Sequence, residues 1–180
     1  CDPSTASTQA MSTAVNNFIA LGAVVTSSSG NQGNSNSISA PACVSNAVSV
    51  GATWDFTGGS RTFLGCTETA TAPKQPACFS NRSITTDLYG AGAVVTSTGF
   101  TGTTSTFGGT SMAAPMAAAC AIALKQAAPL STVAQRVEAM TLAPTTVTDT
   151  ASGRSYPFLD CVDALTLLAE GADPVLSVAD

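Results

Sequence analysis

A Ser set between Gly-Thr and an Ala-rich apolar run is placed to act as a nucleophile. The stretch is Phe107-Gly108-Gly109-Thr110-Ser111-Met112-Ala113-Ala114-Pro115. The run after it predicts a helix, so Ser111 sits at a helix N-terminus. Free backbone N–H groups and the helix dipole favour a negative charge developing there. Gly108 and Gly109 let the backbone approach a ligand closely. Pro115 falls in the first turn, where its missing N–H costs little. The same residues also suit an ordinary capped helix, with Thr110 or Ser111 as the cap. A second stretch, Val25-Thr26-Ser27-Ser28-Ser29-Gly30-Asn31-Gln32-Gly33, runs from apolar residues into a polar loop. Taken alone, Asn31 reads as a turn residue. Histidine is absent from the chain. That excludes, within these residues, a Ser-His-Asp triad, a His-metal site and a His general base.

The elements that must hold these residues follow from periodicity. Residues 4–21 predict a helix capped by Ser4 or Thr5, with Met11, Ala14, Val15 and Phe18 at helical spacing. Gly22 ends it, and Ala23 to Thr26 is a short buried strand. Helix, Gly and then an apolar strand is half a unit of a parallel sheet. Ala47 to Ala52 is a second buried strand and Ala93 to Ser97 a third. Residues 54–80 form a long excursion, and 99–109 a hairpin or irregular loop. Ala113 to Ala128 is apolar nearly all round, which predicts a buried helix. Ser131 caps a helix carrying Val133, Val137 and Met140. Asp160 caps another with Val162, Leu165 and Leu168 inward. Residues 171–180 read as a tail or linker. The order predicts an α/β fold with a mostly parallel sheet.

Composition narrows the function. The 180 residues are about one domain's worth. Charged residues are 9% of the chain, far below the ~25% of an average soluble protein. Six Lys+Arg, scattered, cannot neutralise many phosphates, so nucleic acid is not an expected partner. No apolar run is long enough to span a membrane. The six cysteines include no C-x-x-C pair, and His is missing as a ligand, so disulfides fit better than zinc. Disulfides with a Ser/Thr-rich, charge-poor chain point to an exported protein, secreted or at the cell surface. Six cysteines allow about 15 pairings. Cys66 and Cys78 are near in sequence and set in polar loops, which favours a local bridge worth roughly 3 kcal/mol in the chain-entropy model. The chain opens at Cys1-Asp2-Pro3-Ser4 with no signal peptide, as processing or truncation would leave it.

The segment Gly109-Thr110-Ser111-Met112-Ala113-Ala114-Pro115 closely resembles the nucleophile motif of subtilisin-like serine peptidases (subtilases). The Val25–Gly33 stretch resembles the family segment that ends in the oxyanion-hole Asn. Pro41-Ala42-Cys43, Val48-Ser49-Val50-Gly51-Ala52, Phe79-Ser80-Asn81 and Asp87-Leu88-Tyr89-Gly90-Ala91-Gly92 resemble further landmarks in the same order. The resemblance covers roughly residues 4–170. It implies a three-layer α/β/α domain with a mostly parallel sheet, of which residues 1–170 are the C-terminal portion. It implies Ser111 as nucleophile and Asn31 as side-chain donor of the oxyanion hole. Ser28, Ser29 and Gly30 would line a wall of the specificity pocket and offer backbone groups to an extended peptide. The implied substrates are polypeptides. No cofactor is required, although proteinase-K-like relatives imply a structural calcium held by Asp87 with carbonyls around Ser45 and Ala47. Asp87 reads equally as a turn Asp bonding backbone N–H groups. The resemblance also makes Cys120 and Cys161 neighbours, and Cys1 and Cys43 complete the set.

Two departures stand out. The triad Asp and His are missing. In this family they precede the Ser, the His by roughly 150 residues, whereas 110 residues precede Ser111. They are expected in a segment upstream of Cys1, and this chain alone is expected to be inactive. Met116 stands where the family commonly has a His outside the triad, so altered packing is expected there, with little loss of chemistry. A non-catalytic subtilase-like protein that binds peptides or a partner at the cell surface is the rival reading. A lipoprotein domain acylated on Cys1 is another.

Overall fold

The computed structural model describes residues 1–170; the expected tail at 171–180 lies outside the described residues. The chain begins with α1 (Ala6–Ala20), β1 (Thr26–Ser28) and β2 (Val48–Trp54). A small hairpin, β3 (Arg61–Phe63) and β4 (Cys66–Glu68), precedes β5 (Leu88–Ala93). A second hairpin follows, β6 (Val95–Thr98) and β7 (Thr104–Phe107). Then come α2 (Thr110–Ala127), α3 (Val133–Thr141), a third hairpin of β8 (Thr146–Asp149) and β9 (Arg154–Pro157), and α4 (Cys161–Ala169).

The central sheet is parallel, in the order β1-β2-β5. Strand β2 is buried along its whole length, as a strand covered on both faces must be. Val48, Val50, Ala52 and Trp54 point one way, into a core shared with Ala113, Ala117, Cys120, Ala121 and Leu124 of α2. On the opposite face α1 packs Val15 against Val44 and Ala47, with Val25 alongside. The same face holds Tyr89 against Val147 and Tyr156 of the β8–β9 hairpin, the two rings 5.1 Å apart. Helices α3 and α4 back α2 through Ala139, Met140 and Ala164. The result is α/β/α layering around a short parallel sheet, as expected.

Several local readings are corrected. The third sheet strand is Leu88–Ala93, earlier than the expected 93–97; Val95 to Thr98 belongs to the β6–β7 hairpin. Leu-Tyr-Gly-Ala-Gly-Ala lacks a β-branched signal, and its small residues serve close packing under α2. Strand β1 starts at Thr26, later than Ala23. Helix α2 starts at Thr110 and is not buried all round, because Met116 is 41% and Ile122 68% exposed. Thr132, not Ser131, caps α3, through a capping box with Gln135. Asp160 caps α4 as expected, but Val162 faces outward. The β8–β9 hairpin was not expected at all.

Three disulfides close the described residues: Cys1–Cys43, Cys66–Cys78 and Cys120–Cys161, with Cα atoms 5.4, 6.0 and 5.6 Å apart. The first ties the start of α1 to the loop before β2. The third ties α2 to α4.

One buried ion pair locks the β8–β9 hairpin to the rest. Arg82 Nε lies 3.0 Å from Asp149 Oδ2, with both side chains buried. The contact is ionic; its alignment falls short of a hydrogen bond. Arg82 also donates to the Ser80 carbonyl at 2.8 Å. Burial first, and then the Asp149 charge, push the nearby Tyr89 hydroxyl far above its ordinary pKa. Removing one partner of a buried pair strands the other charge. Asp149→Ala should therefore cost about 3–5 kcal/mol in urea unfolding. The double variant Arg82→Met, Asp149→Leu should recover most of that loss; if it recovers none, the stranded charge is not the cause.

Candidate active site

Helix α2 presents its N-terminus at the carboxyl end of the parallel sheet, where open α/β sheets hold their ligands. Gly109 is its N-cap at φ 145°, a conformation closed to ordinary L-residues. A Cβ there would stand 3.3 Å from the Asn31 amide nitrogen, so Asn31 and the helix start are in direct apposition. Thr110 is the first helical residue and fully buried. Ser111 follows it and is exposed. The Ser111 N–H belongs to the first turn and has no intrahelical acceptor.

Asn31 is fixed by two bonds. Its Oδ1 accepts from the Thr110 N–H at 2.9 Å and from the Thr110 hydroxyl at 3.0 Å. A backbone N–H can only donate, so oxygen must face it and Nδ2 is the free end. The Thr110 hydroxyl in turn accepts from the Gly30 N–H at 3.1 Å. The Gly30–Asn31 loop is thus bonded to the residue immediately before Ser111. With the carbonyl oxygen so bound, the amide is left as a side-chain donor beside a helix N-terminus.

The loop itself hangs on a residue to which sequence reading attached no role. Asn81 is fully buried. Its Oδ1 accepts from the N–H groups of Gln32 and Asn34, both at 3.0 Å. Its Nδ2 donates to Gln32 Oε1 at 2.7 Å and to Ser39 Oγ at 3.2 Å. Its backbone N–H donates to the Gly30 carbonyl and its own carbonyl accepts from Ser29 Oγ. Every polar group of the side chain is satisfied, so Asn81 sets the path of residues 29–34. Its place in Phe79-Ser80-Asn81 was the only available signal.

The three expected pocket-wall residues differ from one another. Ser28 is half-buried at the end of β1. Ser29 is fully buried. The Ser29 N–H donates to the Val50 carbonyl, and the Ser29 carbonyl accepts from the Ser39 N–H. The Gly30 N–H and carbonyl are likewise engaged, with Thr110 Oγ1 and the Asn81 N–H. The Ser29 and Gly30 N–H groups are thus already bonded within the protein, and each of the two carbonyls keeps one lone pair for a further donor. A Cβ at Gly30 would collide with Asn81 and Ser39, so the wall has no room for a larger residue.

Asp87 is placed away from this site as an inter-strand clamp. Its Oδ2 accepts from both the N–H and the hydroxyl of Ser49, at 2.7 and 2.6 Å, and its N–H returns a bond to Ser49 Oγ at 2.8 Å. Calcium takes six to eight oxygen ligands. Asp87 Oδ1 is left without a bond, and no group of three or more His, Cys, Asp or Glu side chains occurs among the described residues; a calcium ion here would take Asp87 as its one carboxylate and draw its other ligands from carbonyls such as those around Ser45 and Ala47. Asp87 behaves as the Asp that bonds backbone N–H groups.

Comparison with known proteins bears on the family and the fold. The model of the subtilase family matches residues 2–159. Among solved structures, the prenylagaramide maturation protease PagA superposes with TM-score 0.67 at 19% identity, covering 86% of this chain. The S218A mutant of the protease domain of PatA gives 0.67 at 20% identity over 89%. The chain spans about half of those chains, 54% in each case. No curated protein matches it. With the family model covering most of its length and the subtilisin-like fold around the Ser111 helix, this chain belongs to the subtilase family.

Proposed function

We propose that the chain is the nucleophile-bearing half of a secreted serine endopeptidase whose Asp and His lie in an upstream segment. The observation that carries this is the tie between Asn31 Oδ1 and the Thr110 N–H. It supports this reading because it leaves the Asn31 amide as a donor next to the residue that precedes Ser111. In the completed site the upstream His takes the proton of Ser111 Oγ as that oxygen attacks a peptide carbonyl. The carbonyl oxygen becomes an oxyanion, held by the Ser111 N–H and Asn31 Nδ2. The C–N bond then breaks, the amine leaves with the proton from His, and an acyl-enzyme remains on Ser111. Water, deprotonated by the same His, releases the acid. Ser28 and Gly30 shape one wall of the substrate cleft. The three disulfides support an extracellular location, and no described helix is long and apolar enough to cross a membrane.

Active-site labelling tests the assignment. The chain is co-refolded with the polypeptide encoded upstream of Cys1 and treated with a fluorophosphonate. Label is expected on Ser111 alone and none on the Ser111→Ala variant. Label on another serine, or an unlabelled Ser111 in a complex that forms, would remove Ser111 from the role.

A further inference from the structure

Arg136 is a charge in the wrong place for a finished protein. It lies on α3 and is 1% exposed. Its Nη2 donates to the Gly22 carbonyl at 2.6 Å. Its Nε and Nη1 have no partner. Among the described residues the ion pair that forms is Arg82–Asp149, so Arg136 faces no carboxylate. A guanidinium does not deprotonate to escape burial. It is therefore a fork of donors held ready for an acceptor that planar, bidentate geometry would match.

Arg136 lines the floor of a cleft of about 410 Å³ at the far end of α2 from Ser111, with Nε and Nη1 buried beneath its surface. Val24, Ala118, Ala121 and Ile122 wall it, and Lys125 and Gln126 stand at its rim. Two cations and no acid line it, inside a chain whose net charge is -5. The walls are apolar, which strengthens any ion pair made within. Gly22 to Val24 lead directly into β1. That strand is first in the sheet order, paired on one side by β2 and open on the other. A segment added to the open edge passes over this cleft and over exposed Ile122.

We propose that the cleft receives a carboxylate, supplied by an Asp or Glu side chain of the upstream segment that pairs along the free edge of β1. This rests on the reading that the domain is completed by such a segment. Arg136 then acts as the buried half of a charge pair that forms only when the two parts meet. It couples assembly at the base of the sheet to completion of the domain, without touching the reacting atoms.

The test is binding, read by titration calorimetry between the 180-residue chain and the upstream polypeptide after co-refolding conditions are set. Arg136→Met alone should unfold at an equal or higher temperature than the parent, since it removes an unpaired buried charge. It should nonetheless bind the upstream polypeptide about 100-fold more weakly. One Asp or Glu substitution to Asn or Gln in the upstream polypeptide should reproduce that loss and add little to Arg136→Met. Equal binding by Arg136→Met, or no single acidic position whose substitution weakens binding to the parent chain, overturns the proposal and leaves the completed-domain reading intact. Failure of the parent chain itself to bind removes both. Should Arg136→Met fail to fold, the acidic substitutions decide the question alone.

Discussion

The purified 180-residue chain should hydrolyse casein and fluorogenic peptides at the uncatalysed rate from acid to alkaline pH. The chain contains no histidine to serve Ser111 as a base, and among the described residues no acidic side chain is bonded to the Thr110–Asn31 network next to it. A serine hydroxyl without a base stays protonated and attacks poorly. In subtilisin, removal of Ser or His alone costs about 10⁶ in kcat, and what is left comes from the oxyanion hole and binding. On the function proposed above, the oxyanion donors alone would remain in this chain. The residual is expected below detection. Addition of the upstream polypeptide should restore turnover by a factor on the order of 10⁶, with a pH dependence that the chain alone cannot show. Turnover by the isolated chain that disappears in Ser111→Ala would overturn this, because it would require a base among the residues described above.

The parts of the molecule that could be read from the sequence are those governed by local rules. Thr5 and Asp160 cap their helices because a short polar side chain before an apolar period has one common use. Strand β2 was visible because a strand buried on both faces is a run of apolar and small residues. The failures are tertiary. Strand β5 is hard to read because Gly90 and Gly92 weaken every strand signal, and Gly92 is required by the close approach of Gly109 at the start of α2 and of Ala52 on β2, which no local window contains. Hairpin β8–β9 is a short Thr/Ser-rich ribbon whose buried members, Val147 and Tyr156, find their partner Tyr89 more than fifty residues earlier. Helix α2 reads as buried because it is apolar nearly all round, yet Met116 and Ile122 are exposed among the described residues.

The site divides along the same line. Ser111 and Asn31 stand out in the sequence because their motifs are contiguous, and the fold brings the two segments together through Thr110. Their support does not stand out. Thr110 looked like a helix cap, and its hydroxyl instead joins Gly30 to Asn31. Asn81 stood in the sequence only as part of a landmark with no role, and its four side-chain bonds hold Gln32, Asn34 and Ser39. Ser29 looked like a substrate contact, and its hydroxyl is bound to the Asn81 carbonyl at 2.7 Å. In each case the residue type was compatible with several roles, and only the position of a distant backbone chose among them. Arg136 is the extreme instance. On a helical wheel it is an ordinary polar residue of α3, and only the fold buries it beside Gly22.

Within the completed enzyme, Asn31→Asp should lower kcat by at least about 10²–10³ while leaving KM and thermal stability nearly unchanged. That magnitude is the loss known for the oxyanion Asn of subtilisin itself, taken over to the matching residue. The choice of Asp separates chemistry from structure. Asn31 Oδ1 accepts the Thr110 N–H and hydroxyl, and a carboxylate oxygen can accept both. The loop and the start of α2 are then held as before. The other atom changes from a donor to a second acceptor, and a negative charge faces the developing oxyanion instead of an N–H. Asn31→Ala should also lower kcat, but it strips the Thr110 N–H of its acceptor in a buried position. A further loss of stability of about 1–3 kcal/mol follows from that stranded group. Steady-state kinetics and thermal unfolding of the two variants therefore diverge in a defined way: equal damage to kcat, unequal damage to stability. If Asn31→Asp retains parental kcat, Asn31 Nδ2 does not meet the oxyanion, and Asn31 is a loop anchor bonded to Thr110 and nothing more.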